Sequence, residues 1–263
     1  MVELQFSGGG RMAEALFGGL LAGGRWQPDQ LRVVEISPAR REELAGAYPM
    51  LEVSSEAAPC EGLVIATKPA GATAALGEAA PRGVGRVLSI AAGVSTRSLE
   101  EALGPAGDTA VVRAMPNTPA LVRRGATAIC AGSAAGEDDL LWAESVLDAV
   151  GLTVRVPESQ MDAVTGLSGS GPAYVFLMAE ALIEAGVRSG LPRGTARTLA
   201  VQTLLGASEL LASSDSSAEE LRAMVTSPGG TTAEAMAVLE ERGFRAALAA
   251  AVEAAARRSA ELG

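Results

Sequence analysis

The sequence predicts an α/β domain built on a parallel sheet, followed by an all-α domain. Over residues 1–156, short β-branched runs alternate with helical stretches, the order expected of a parallel sheet covered by crossover helices. Beyond Pro157 alanine, leucine and glutamate dominate, and no strand pattern recurs. That change of character divides the chain into residues 1–157 and 158–263.

In chain order, residues 2–7, 31–36, 63–66, 87–91, 110–115, 127–131 and 153–156 read as strands, and residues 12–21 and 138–150 as helices. In the first strand Glu3 and Gln5 alternate with Val2, Leu4 and Phe6, whereas a central parallel strand is ordinarily apolar throughout. Its burial is therefore left open. In the second half, breaks at residues 168–172, 189–192, 213–217 and 227–230 separate several helices, with Pro172 and Pro192 suited to first turns. The alanine-rich stretch 246–256 reads as a close-packed helix.

Composition narrows the function. A chain of 263 residues with net charge -10 lacks the basic surface that a nucleic acid needs. No apolar run reaches the roughly 18 residues of a membrane span, and the N-terminus has no basic region followed by a long apolar stretch, so the expected location is the cytoplasm. Cys60 and Cys130 lack C-x-x-C spacing and read as buried reduced thiols. With no histidine in the chain, no metal site is expected, and Ser-His-Asp and Cys-His chemistry is excluded.

Four stretches carry candidate chemistry. In FSGGGRMAEAL, residues 6–16, Gly8, Gly10 and Ala13 match G-x-G-x-x-G/A between a strand and a helix. Gly8 permits the tight turn, Gly10 lets a pyrophosphate approach the backbone, and Ala13 allows close helix packing. The context favours dinucleotide binding over a merely structural turn. After the second strand, Ser37, Arg40 and Arg41 supply a hydroxyl and two guanidiniums suited to a 2′-phosphate, which favours NADP. Glu35 would supply the acid that binds a free 2′-hydroxyl if the strand ends earlier.

Lys68, in ATKPAG, is the only lysine of the chain and lies at the end of a strand, where open α/β sheets place their ligands. A compact ammonium on a flexible stem fits a narrow crevice that a planar guanidinium does not. SIAAGV, residues 89–94, offers a second small-residue turn at the next strand end. RAMPNTPALV, residues 113–122, brackets Asn117 and Thr118 with two prolines, a rigid turn that is either structural or a display of short polar groups. TGLSGSGPAYVF and VTSPGGTTAEAM each set a Ser/Gly-rich turn before a helix, where free amides and the helix dipole suit a small anion. SPGGTT adds three hydroxyls, as a carboxylate pocket requires.

Together the stretches G-x-G-x-M-A at Gly8–Ala13, K-P at Lys68–Pro69, RAMPNTP at Arg113–Pro119, TGLSGSGPAY at Thr165–Tyr174 and SPGGTT at Ser227–Thr232 resemble the pyrroline-5-carboxylate reductases. The resemblance implies an N-terminal Rossmann dinucleotide-binding domain that takes NADPH or NADH, and an all-α C-terminal dimerisation domain. It implies a substrate site at the interface of a homodimer, with dimers commonly gathered into decamers. Carried over by position, Ser227, Gly230, Thr231 and Thr232 would hold the carboxylate of a cyclic imine substrate, with Thr232 as catalytic residue beside the ring nitrogen. Gly8, Gly10, Arg11, Met12, Ser37, Lys68, Pro69 and Ala91 would line the cofactor, joined by Arg40 on the residue reading above. Ser7 and Arg11 depart from the residues many members carry there, and the adenine-ribose asparagine of the family has only Ser54 or Ser55 near its place. The implied reaction reduces 1-pyrroline-5-carboxylate to L-proline; the alternatives are a reductase of a related six-membered cyclic imine and a non-catalytic NADP-binding regulatory paralogue.

Overall fold

The computed structural model describes residues 2–24, 26–104 and 109–262. They form two compact units, one running to Ser170 and including the chain from Glu253 onward, the other Gly171–Val252.

The first unit holds strands β1 (Val2–Ser7), β2 (Leu31–Val34), β3 (Glu52–Ser54), β4 (Cys60–Ile65), β5 (Val84–Ser89), β6 (Ala110–Met115), β7 (Gly125–Ala131) and β8 (Gly151–Arg155). They make one sheet of order β3-β2-β1-β4-β5-β6-β7-β8. Neighbours run parallel except β6 and β7, which pair antiparallel. The cause is local: the link from β6 to β7 is one proline-bracketed 3-10 turn, Thr118–Val122, and a parallel return needs a crossover of a dozen or more residues.

The helices of this unit are α1 (Arg11–Ala22), α2 (Pro38–Ala47), α3 (Pro69–Ala79), α4 (Thr96–Leu103), α5 (Glu137–Leu147) and the short α6 (Met161–Val164), which continues as a π-turn over Thr165–Gly169. Phe17 of α1 sits edge-on between Phe6 of β1, 5.6 Å away, and Tyr48 at the end of α2, 5.1 Å away. Beyond the area it buries, each such pair contributes about 0.5–1.5 kcal/mol, and together they fix α1 over β1.

Two differences from the sequence expectation, at β2 and β3, have physical reasons, and the burial of β1, left open by its sequence, is resolved. β1 keeps its expected bounds and is buried from Leu4 to Ser7 in spite of Gln5, whose Oε1 accepts from the Ala58 amide at 2.9 Å; the polar residue ties down the approach to β4. β2 stops at Val34, not residue 36, because Glu35 turns into the loop and Ile36 is 86% exposed. β3 was not foreseen: three residues at a sheet edge, Glu52–Ser54, bury too little to leave an apolar pattern.

The second unit carries α7 (Gly171–Arg188), α8 (Arg193–Ser213), α9 (Ala218–Met224), α10 (Thr231–Glu241) and the start of α11 (Phe244–Leu262). α7 and α8 pack together, yet α7 buries no residue and leaves Phe176 and Leu177 about two-thirds exposed, with Leu199, Leu205 and Leu210 of α8 half exposed. An apolar surface of this extent marks an interaction face.

Candidate active site

The strand order reverses between β1 and β4, and in an open α/β sheet ligands bind outside the carboxyl ends of the strands at that point. Two loops leave the sheet there side by side. The Ala66 amide donates to the Ser7 carbonyl and the Gly8 amide to the Val34 carbonyl, both at 2.8 Å. Gly8 takes φ 103°, and a Cβ on it would lie 2.7 Å from the Ala66 carbonyl oxygen, so only glycine fits between the loops. Gly10 is the opposite case: it is extended, and a Cβ there would meet nothing within 4 Å. It caps α1 without a side-chain hydrogen bond. The first-turn amides, Arg11 and Met12 among them, therefore open onto free space, the donor set that a pyrophosphate takes at a helix N-terminus. Ala13 is fully buried where α1 closes on the sheet. These residues fit a dinucleotide.

Lys68 stands two residues beyond Ala66, exposed, at the N-cap of α3, and its ammonium makes no hydrogen bond or ion pair among the described residues. Pro69 is the first residue of that helix. At the next strand end Ala91 is 2% exposed and its amide donates to the Ser89 hydroxyl at 3.3 Å, so it offers the crevice a close-packed wall.

The end of β2 is arranged differently from the arginine-lined subsite expected of it. The Glu35 carboxylate accepts from the Gly9 amide at 2.9 Å and from the Ser37 amide at 2.8 Å. Arg40 is committed to the protein: its Nε donates to the Gly9 carbonyl at 2.8 Å, and its two terminal nitrogens pair with Glu14 and Glu43. The hydrogen bonds to Glu14 and Glu43 raise the Arg40 pKa further above its ordinary value. Arg41 turns one nitrogen onto the carbonyls of Glu35 and Ile36. The Ser37 hydroxyl caps α2. Arg40 thus holds the glycine-rich loop to α2.

At the carboxyl end of β6, at the start of the turn that packs against α1, Asn117 turns inward. Its Oδ1 accepts from the Ala126 amide at 2.9 Å, and its Nδ2 donates to the Ser168 carbonyl at 3.0 Å in the π-turn. The proline-bracketed turn is thereby a clamp that joins β7 to the TGLSG segment, a helix defect of the kind that often marks functional sites. A half-buried ion pair went unforeseen. Arg113 of β6, 7% exposed, donates to Glu158 at 3.0 Å, and the other donors to that carboxylate are the amide and hydroxyl of Thr96. Burial pushes the Glu158 pKa up, but the hydrogen bonds from Thr96 and Arg113 outweigh it and leave the carboxyl below its ordinary range. Nothing in the sequence joins residues so far apart, although a lone arginine inside an apolar strand requires a carboxylate partner somewhere.

Both cysteines are buried, and burial pushes each thiol up to about 11, which favours the thiol over the reactive thiolate. Among the described residues no cluster of histidine, cysteine or carboxylates has the makings of a metal site.

In the second unit, Ser227-Pro228-Gly229-Gly230 makes a turn with Gly229 at φ 68°, closed by the Gly230 amide on the Ser227 carbonyl at 3.0 Å. Gly230 then caps α10 with no side-chain hydrogen bond, so the amides of Thr231 and Thr232 begin the helix without partners. The Ser227 hydroxyl lies over this turn, close enough that a Cβ on Gly230 would collide with it. Thr231 and Thr232 complete a set of amides and hydroxyls at the positive end of a helix dipole, the chemistry that holds a carboxylate.

Comparison with known proteins places both units. Residues 3–116 match the family model described as NADP oxidoreductase, coenzyme F420-dependent, and residues 158–262 match pyrroline-5-carboxylate reductase dimerisation. A pyrroline-5-carboxylate reductase of a Synechocystis species is 46% identical over all of this chain and 98% of its own length, and that of Mycobacterium tuberculosis is 43% identical over 100% and 97%. The solved structure of a pyrroline-5-carboxylate reductase from Coxiella burnetii superposes with a TM-score of 0.91 at 36% identity, covering 100% of this chain and 98% of that one. The Plasmodium falciparum pyrroline carboxylate reductase, solved with NADP bound, gives a TM-score of 0.86 at 32% identity over 100% and 98%.

Proposed function

The chain belongs to the pyrroline-5-carboxylate reductase family, and on that premise we propose how its own residues divide the work of reducing 1-pyrroline-5-carboxylate to L-proline. It is an NAD(P)-dependent oxidoreductase acting on a cyclic C=N bond, and its helical domain is a dimerisation domain. When bound, the nicotinamide supplies a hydride to the ring carbon of the imine while a proton goes to the nitrogen, and the C=N bond becomes a C–N single bond.

The first-turn amides of α1, beginning at Arg11 and Met12, take the pyrophosphate over Gly10. Lys68 adds a slim cation at the mouth of the crevice, where Pro69 and Ala91 supply wall. Ser227, Gly230 and Thr231 take the substrate carboxylate. The Thr232 hydroxyl donates to the ring nitrogen and steadies the developing amine; with its high intrinsic pKa it orients more than it acidifies. A protein without histidine suits this chemistry, because an imine protonated from solvent is already electrophilic and needs mainly positioning. The observation that carries the reading is the start of α10 behind Gly230, which has no side-chain cap and whose first amides and neighbouring hydroxyls find no partner among the described residues.

In the dimer a second copy covers the apolar faces of α7 and α8, and a decamer is the further assembly expected of such dimers. Light scattering reads the two masses. No helix among the described residues is long and apolar enough to cross a membrane, and the location proposed for the enzyme is the cytoplasm. The test of the function is NADH and NADPH oxidation at 340 nm with pyrroline-5-carboxylate, with proline identified as product. Oxidation that does not depend on the imine would overturn the reading.

A further inference from the structure

The adenosine ribose of a dinucleotide lies against the end of the second strand in this fold, and there the chain presents a carboxylate where a cationic subsite was expected. β2 ends at Val34, so Glu35 is the first residue beyond it. Its two oxygens occupy the Gly9 and Ser37 amides, at 2.9 and 2.8 Å. The second of these stands at the N-cap of α2, where a helix N-terminus would otherwise receive an anion.

The neighbouring cations do not make up for this. Arg40 spends its Nε on the Gly9 carbonyl and its terminal nitrogens on Glu14 and Glu43, and Arg41 turns back onto the carbonyls of Glu35 and Ile36. A 2′-phosphate arriving here would meet a carboxylate already seated on the amides it needs. A free 2′-hydroxyl meets an acceptor: an ionised carboxylate has about four lone-pair positions, and two remain for the ribose diol.

We propose that Glu35 selects the cofactor, accepting the free ribose diol and excluding the 2′-phosphate, so that this chain takes NADH in preference to NADPH. The inference reverses the NADP preference read from Ser37, Arg40 and Arg41, and it rests on the dinucleotide reading above. It concerns this chain's own side chain, and the carboxylate is half-buried against Gly9, so it is held in place.

The experiment is isothermal titration of the native dimer with ADP-ribose and with 2′-phospho-ADP-ribose, fragments that lack the nicotinamide and report binding without turnover. We expect ADP-ribose to bind about tenfold or more tightly, the scale of one charge-assisted hydrogen bond. Glu35→Gln keeps one acceptor for Gly9 and removes the charge; it should strengthen the phosphorylated fragment and bring the ratio close to one. Equal or tighter binding of 2′-phospho-ADP-ribose by the native protein overturns the proposal and leaves the dinucleotide reading intact. An unchanged ratio in a folded Glu35→Gln variant also overturns it. If neither fragment binds a folded dimer, the dinucleotide reading fails as well. The native ratio decides the matter even if the variant does not fold.

Discussion

Asn117→Ala removes both hydrogen bonds that join β7 to the π-turn. The Ala126 amide loses the Oδ1 acceptor at 2.9 Å, and the Ser168 carbonyl loses the Nδ2 donor at 3.0 Å. Asn117 is 9% exposed, and Ala126 and Ser168 are half-buried, so water replaces the lost partners only in part. At about 1–1.5 kcal/mol for each bond left unmade, the variant should lose about 2–3 kcal/mol. For a chain of this size that is a fall in Tm of roughly 4–10 °C, read at fixed protein concentration because a dimer's stability depends on it. Asn117→Asp is the sharper comparison. It keeps an acceptor for Ala126 but sets a second acceptor against the Ser168 carbonyl, and should destabilise at least as much as alanine. Urea denaturation followed by tryptophan fluorescence is the assay, since Trp26 and Trp142 both belong to the unit that holds Asn117. If Asn117→Ala unfolds at the native midpoint, or Asn117→Asp is indistinguishable from native, the clamp is not what holds the π-turn.

Thr232→Ala should lower kcat about tenfold to a hundredfold, the share of a weak proton donor, with the residual rate kept by positioning; steady-state kinetics with unchanged kcat would remove the hydroxyl from the mechanism. Lys68→Arg should raise the cofactor KM several-fold and leave the substrate KM nearly unchanged, because the wide guanidinium crowds a mouth that the ammonium fits; equal constants would make the lone lysine incidental. Acid should loosen the Arg113–Glu158–Thr96 cluster. The Glu158 pKa is depressed in the fold, so its stabilisation is complete above the ordinary carboxylate range and is lost as pH falls through the lowered value. Glu158→Gln should therefore be less stable than native near neutrality and flatten the pH dependence of Tm below pH 5, whereas parallel Tm curves for the two proteins would refute the coupling.

Much of the sheet unit was legible because its strands are apolar runs closed by glycine or proline. β1 and β6 keep their expected bounds, since each ends at a loop whose glycines or prolines cannot extend the ladder. β3 left no trace, being three residues at an edge. The glycine-rich loop was legible for the reason that it works: Gly8 has no room for a side chain, and Gly10 leaves room for a ligand. The side chains around it were not. Arg40 looked like a phosphate ligand because composition shows charge but not partners, and only the fold reveals that Glu14, 26 positions away, already holds it. Glu35 was ambiguous until the end of β2 was known, since one residue of register decides whether it faces the loop. Asn117 was weighed as part of a structural turn or as a displayed polar group, and the fold favours the first: it turns the side chain inward onto residues 9 and 51 positions distant.

The most direct test of the central claim is steady-state oxidation of NADH and NADPH by the native dimer in the presence and absence of pyrroline-5-carboxylate, with proline quantified. The account predicts oxidation that requires the imine, matches proline formed mole for mole, and is more efficient with NADH. A folded dimer that binds ADP-ribose yet oxidises neither cofactor when the imine is added would contradict it.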